Sequence, residues 1–250
     1  MKIEHGTSLN RKKRSEEMEH SAEDALIESL THQDVSGIAQ QVGDAAFHAV
    51  IDEKILKDVP VFSLLVRAWA VGRNFRDRIF LKKIASFLKE AGRISNANRE
   101  AFAKRLEADP KFARRSGEKL LLLLDKLSEL EKASFMGYAF RKFLEGTIDE
   151  VIWNRICAAL EFLPLWRLFE LPEYYFKGGL GALDQASATS YQQLGLIAVY
   201  YGDKDKRLHC DFHTDASYFL AYHQPFYRET DIGAAVADVI HDYLAEPEIA

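Results

Sequence analysis

The sequence predicts a mainly helical protein: a helical bundle followed by a small α/β winged-helix-like module with one β-hairpin. Three observations predict it. The 250 residues include only 14 Gly and 6 Pro, too few for a turn-rich all-β chain. Apolar side chains recur at helical spacing from residue 25 to about 163. One run alone, Leu196 to Tyr201, reads as a strong strand. With 48% hydrophobic and 28% charged residues, the composition excludes a wholly disordered chain, a collagen-like chain and a disulfide scaffold.

Residues 1–20 read as a polar arm carrying the short basic cluster Arg11 to Arg14. Ser21, three residues before Asp24, suits a helix N-cap, with Ala25, Leu26 and Leu30 as the apolar face. A second helix follows Asp34, with Val35, Ile38, Val42, Ala46, Val50 and Ile51 at helical spacing. Ile55 to Val71 is the most apolar stretch, and Pro60 starts or interrupts a helix there.

Residues 75–91 are amphipathic, with Phe75, Ile79, Phe80, Ile84, Phe87, Leu88 and Ala91 on one stripe. Arg76, Arg78, Lys82, Lys83 and Lys89 lie largely outside it, and Gly92 is a natural stop. A helix over 97–108 ends at Asp109-Pro110, which also starts the next, since Asp caps and Pro suits a first helical position. Leu120 to Leu124, apolar on all sides, predicts a helix at the centre of the bundle. Ser128 with Glu131, and Thr147 with Glu150, read as capping boxes for helices over about 129–145 and 148–163, joined at Gly146 as an antiparallel hairpin.

Pro164 closes the bundle, so the domains read as the arm, 21–164 and 165–250. In the last, a short helix near 183–194 precedes the strand. Gly202 to Asp205 reads as a turn and Arg207 to Phe212 as the returning strand. Helices from Thr214 to His223 and from Thr230 to Leu244 complete the module.

The net charge of -5 conceals a basic middle. Residues 67–119 carry 15 basic against 6 acidic side chains, whereas residues 165–250 carry 6 against 13. Arg73, Arg76, Lys82, Lys83, Arg114 and Arg115 are therefore candidates for binding a polyanion; the competing reading pairs this segment with acidic parts of its own chain. His209, Asp211 and His213 alternate along the expected returning strand, which places three capable metal ligands on one face. No HExxH, paired-cysteine, phosphate-loop, Gly-x-Ser-x-Gly or kinase motif occurs, and no cofactor is implied. Cys157 and Cys210 form no pair motif, consistent with a reduced cytoplasmic setting, and the first 20 residues lack the apolar core of a signal peptide. Eight tyrosines between Tyr174 and Tyr227 suit either an interface or a small core. Residues 55–72 read as a core helix or a membrane-surface segment.

Three resemblances follow. Ile55 to Pro60, Arg76 to Lys83 and Phe87 to Lys89, continuing through Glu118 to Asp125, resemble a group of uncharacterised bacterial helical proteins. Glu145 to Glu150 is similar to the helix junction of tellurite-resistance TerB-like domains, without that family's acidic metal ligands. The stretch from Leu194-Gly195-Leu196-Ile197 to His213-Thr214-Asp215 is similar to the wing and following helix of winged-helix domains. These resemblances imply a bacterial protein, in a stress-response or phage-defence setting, and transfer no active site. The expected function is that of a non-enzymatic interaction or regulatory protein, acting on a protein partner or a second copy of itself. The alternatives are a nucleic-acid-binding regulator using the basic 67–119 region, a membrane-acting effector through 55–72, and a metal-dependent enzyme at His209 to Asp215.

Overall fold

A computed structural model describes residues 22–45, 59–69, 75–200 and 226–246. The described fold is mainly helical with a small antiparallel two-stranded sheet. It divides into two compact units, Met1–Trp153 and Asn154–Ala250. The division falls inside a helix, ahead of the boundary expected at Pro164.

The first unit contains α1 (22–31), α2 (Val35–Ala45), α3 (Pro60–Trp69), α4 (Phe75–Ala91), α5 (Asn96–Ala108), α6 (Pro110–Lys126) and α7 (Leu130–Leu144). Helix α4 is its hub, packing on α7 and α2 and touching α6 and α3. The expected stripe is what it buries: Ile84, Phe87 and Leu88 are fully enclosed. They meet Phe135, Met136, Tyr138 and Phe140, the inward face of α7. The Phe87 and Phe140 rings lie 5.7 Å apart, and Phe140 adds an edge-on contact with Phe102 of α5.

Close backbone approach makes this possible. A Cβ built on Gly137 would lie 2.2 Å from the Phe87 carbonyl oxygen. One on Gly117 would lie 2.6 Å from the Glu23 carbonyl oxygen, so α6 meets α1 equally closely. Asp109 ends α5 and starts α6 as expected: its N–H donates to Arg105 O at 3.0 Å, and its carboxylate accepts from Phe112 N at 3.0 Å. Val59, Val61 and Phe62 at the start of α3 are fully buried, so this part of the apolar 55–72 stretch belongs to the core.

Three local expectations need correction. The leucine run is not central: Leu120, Leu123 and Leu124 are buried, but Leu122 is 59% exposed. Helix α6 is amphipathic, and Leu122 falls on its solvent face. Ser128 does not cap α7; the helix begins at Leu130 after Glu129, with no side-chain cap bond, and Ser128 donates to the Glu129 carboxylate instead. Thr147 does not cap the next helix, α8 (Glu150–Phe162); Asp149 does, accepting from Ile152 N at 2.9 Å. Gly146 does end α7, at a positive φ of 74°.

The second unit continues from α8 through α9 (Leu165–Glu173), a π-helical turn at Tyr174–Gly178 and a 3-10 turn at Leu180–Ala182. Then come α10 (Gln185–Gln193), β1 (Ile197–Tyr200), β2 (Phe226–Glu229) and α11 (Asp231–Ala245). Pro172 sits inside α9 and lacks the N–H that would continue the helical ladder, which gives way to the wider π turn two residues later.

Strand β1 stands where expected. Its described partner is β2, antiparallel with Ile197 opposite Glu229 and Tyr200 opposite Phe226; the returning strand expected over Arg207 to Phe212 falls outside the described residues. The helix expected from Thr214 to His223, Ser21 and residues 1–20 also lie outside them. Thr230 caps α11 as expected, accepting from Gly233 N at 2.9 Å, while its hydroxyl donates to Gly195 O.

Candidate interaction surfaces

The basic candidates fall into two groups. At the start of α4, Arg76 stands 3.7 Å from the Asp125 carboxylate at the end of α6. Lys83, one of the residues expected outside the stripe, is instead buried, and its ammonium donates to the Asp125 carbonyl at 3.1 Å. Burial lowers the Lys83 pKa, with Asp125 opposing and Arg76 adding to the shift. Burial also lowers that of Lys82, opposed by Asp44. A long alkyl stem at a stripe's edge is readily drawn inward when its head finds an acceptor, and periodicity alone does not show this.

Arg114 and Arg115 are exposed on the first half of α6. Arg114 approaches Glu23 of α1 at 4.0 Å, and the Arg115 Nε donates to Lys111 O at 3.2 Å. Ten residues of helix, about 15 Å, separate Arg115 from Asp125. The structure therefore does not gather the named cations into one patch. Arg73 and the metal candidates His209, Asp211 and His213 lie outside the described residues. Among the described residues no cluster of three potential metal ligands occurs. No helix among them is long and apolar enough to cross a membrane.

Sequence reasoning missed Arg99. It is 6% exposed, and its guanidinium donates to Gly92 O at 2.9 Å, to Ile94 O at 3.2 Å and to His32 O. It ties the α1–α2 connection to the turn after α4, and no motif signals such a backbone-binding arginine.

The second unit presents a different surface. Helix α8 ends at Phe162, Leu163 turns inward, and Pro164 opens α9, so Phe162 and Trp166 flank the bend. Phe162 is 71% exposed and Trp166 56%. The Arg167 guanidinium lies 4.8 Å over the Trp166 ring and donates to Ser190 Oγ at 3.0 Å. On α11, exposed Leu244 follows His241, whose ring lies 5.4 Å from exposed Phe176 of the π turn.

Among the described tyrosines of this unit, Tyr191 serves the core and Tyr200 faces solvent. Tyr191 is fully buried, donates to Arg167 O at 2.5 Å and packs edge-on to Tyr174. Burial, with Tyr174 next, holds its pKa well above the ordinary phenol value. Tyr175 donates to Leu196 O and is also raised by burial. Both hydroxyls stay protonated donors at neutral pH.

Asp184 caps α10. Its carboxylate accepts from Ser187 Oγ at 2.5 Å and from the Ser187 and Ala186 N–H groups. The Ser187 hydroxyl, then the Ser187 N–H, hold its pKa below the ordinary carboxylate value. A depressed folded-state pKa means that the unfolded chain takes the proton first on acidification. The contribution is therefore complete above the ordinary carboxylate pKa near 3.8 and is lost as pH falls through the lower folded value. Melts of the wild type and Asp184→Ala should converge below that range and separate above it. A gap independent of pH would show that the carboxylate's charge is not what holds the cap.

Comparison with known proteins finds no matching family model, no matching curated protein and no matching solved structure.

Proposed function

We propose that the chain is a non-enzymatic protein-binding module whose Asn154–Ala250 unit supplies the interface. The observation that carries this reading is the set of large apolar side chains left in water there: Phe162, Trp166, Phe176, Tyr200 and Leu244 are each between 48% and 71% exposed. Burying such a side chain is worth about 1.5–3 kcal/mol, so a partner gains substantially by covering several. Trp, Tyr and Arg dominate the energetics of known interfaces, and the stacked Trp166–Arg167 pair is an anchor of that composition. A bacterial stress or defence setting is part of the proposal and is supported only by the sequence resemblance.

The test pairs the wild type with a Phe162→Ser/Trp166→Ser variant of the full chain. Both side chains are solvent-facing, so the melting curve should change little. A specific protein, or a second copy seen by sedimentation, should associate with the wild type and be lost by the variant. Equal association by both, or a monomer that retains no partner from its host's lysate, would overturn the reading.

A further inference from the structure

Sorting the cations by their partners exposes a second surface. On α4 three of the five cations are answered within the fold: Arg76 by Asp125, Lys83 by the Asp125 carbonyl, Lys82 by nearby Asp44. Around the α5–α6 corner only Arg114 is, by Glu23 of α1 at 4.0 Å. Lys104 and Arg105 stand on the last turn of α5, and Lys111, Arg114 and Arg115 on the first two turns of α6, all exposed. Asp109 joins the two helices with no loop, and the Arg105 guanidinium reaches across it to Phe112, so the end of α5 and the start of α6 form one corner. Only Glu107 and Asp109 oppose the five cations within 104–115, and the Asp109 carboxylate is engaged in capping. Among the described residues, no carboxylate lies within ion-pair distance of Lys104, Arg105, Lys111 or Arg115.

Helix electrostatics account for Arg105, a cation in the last turn of α5, but not for Lys111. Acidic side chains are favoured in a first turn, yet that of α6 contains none and holds Lys111. Arg105 is fixed in place, its guanidinium 4.1 Å over the Phe112 ring, while remaining exposed.

We propose that this corner binds the phosphate backbone of duplex nucleic acid without reading its sequence. The chemistry favours phosphate over the other anionic partners. A membrane-surface segment needs an exposed apolar face, and an acidic protein's interface needs an apolar centre. The corner offers neither: Leu106 and Phe112 are half-buried, and exposed Leu122 lies two turns further along α6. Phosphate contacts need only cations and donors. The net charge of -5 does not oppose this, because salt confines a surface charge's reach to about 8 Å at physiological ionic strength.

The test is binding of a labelled mixed-sequence DNA duplex by the full chain across a salt series. Each phosphate contact contributes about 0.9 to the slope of log affinity against log salt, so Lys111→Ala/Arg115→Ala should reduce that slope by about 1.8. A control with the same charge change in the other unit, Lys177→Ala/Arg228→Ala, should leave it unchanged. Absence of duplex binding at the lowest salt overturns the proposal, as do equal slopes for the corner variant and wild type, or equal losses in corner and control variants. Corner-dependent binding to vesicles with anionic headgroups, without duplex binding, overturns it in favour of a lipid surface. None of these outcomes depends on the protein-binding surface of the other unit.

Discussion

Replacing Gly137 with alanine is expected to destabilise the first unit by about 3 kcal/mol, a fall in melting temperature of roughly 10 °C. The direction is informative because intrinsic preference points the other way. In a helix interior, Gly→Ala ordinarily gains up to about 1 kcal/mol. Here the new Cβ would sit 2.2 Å from the Phe87 carbonyl oxygen, and 3.0 Å from both the Phe87 carbonyl carbon and the Glu90 Cβ. Backbone cannot rotate away as a side chain can, so α7 must move off α4 and open the contact holding Phe87, Met136 and Phe140. Thermal melts by far-UV circular dichroism read the effect. Hydrogen exchange should show lost protection in 75–91 and 130–144. A variant as stable as the wild type would mean that the two helices do not approach this closely.

Gly233→Ala should produce the corresponding loss in the second unit. Its Cβ would lie 1.9 Å from Leu196 O and 2.0 Å from the Tyr175 hydroxyl. That point joins three elements: Tyr175 donates to Leu196 O, Thr230 N donates back to the Tyr175 hydroxyl at 3.3 Å, and Thr230 caps α11. The expected destabilisation is again about 3 kcal/mol, with amide protection lost across 174–200 and 226–246. Adding Tyr175→Phe removes one obstruction and leaves the carbonyl, so it should not restore protection. Restoration by Tyr175→Phe would place the whole cost in the hydroxyl and refute the backbone clash.

The sequence made much of the helical unit legible because its signals are local. The stripe of α4, the Asp109-Pro110 junction and the stop at Gly146 each depend on residues within a turn or two of one another, and each appears in the structure. Caps were less legible. Thr147 and Asp149 both offer a suitable oxygen two residues apart, and only backbone geometry selects Asp149. The leucine run misled because five identical residues erase the periodicity that would mark Leu122 as outward.

Long-range features were the least legible. Strand β1 announces itself by composition, but its pairing with Phe226–Glu229 depends on chain that returns from far away. Charge behaved in the same way. Lys82-Lys83 and Arg114-Arg115 look alike as doublets, yet Lys83 is drawn into the fold by a carbonyl 42 residues away whereas Arg115 stays in water. Lys104-Arg105 and Lys111 belong to different helices, so the spacing within either one does not show them on a common corner. The junction at Asp109, visible in the sequence, is what brings them together.

That junction also sets a rule about chain length. Asp109 is the last residue associated with one helix and the first with the next, and its single backbone pair, φ -133° and ψ 84°, fixes the angle between them. There is no slack in which an added residue could be absorbed. One residue added within the first turn of α6 would turn everything after it by about 100° and advance it by about 1.5 Å. Arg105 would then lose its seat on Phe112, and the Gly117 contact would swing away from the Glu23 carbonyl. The corner therefore fixes chain length as strictly as it fixes the Asp109 cap.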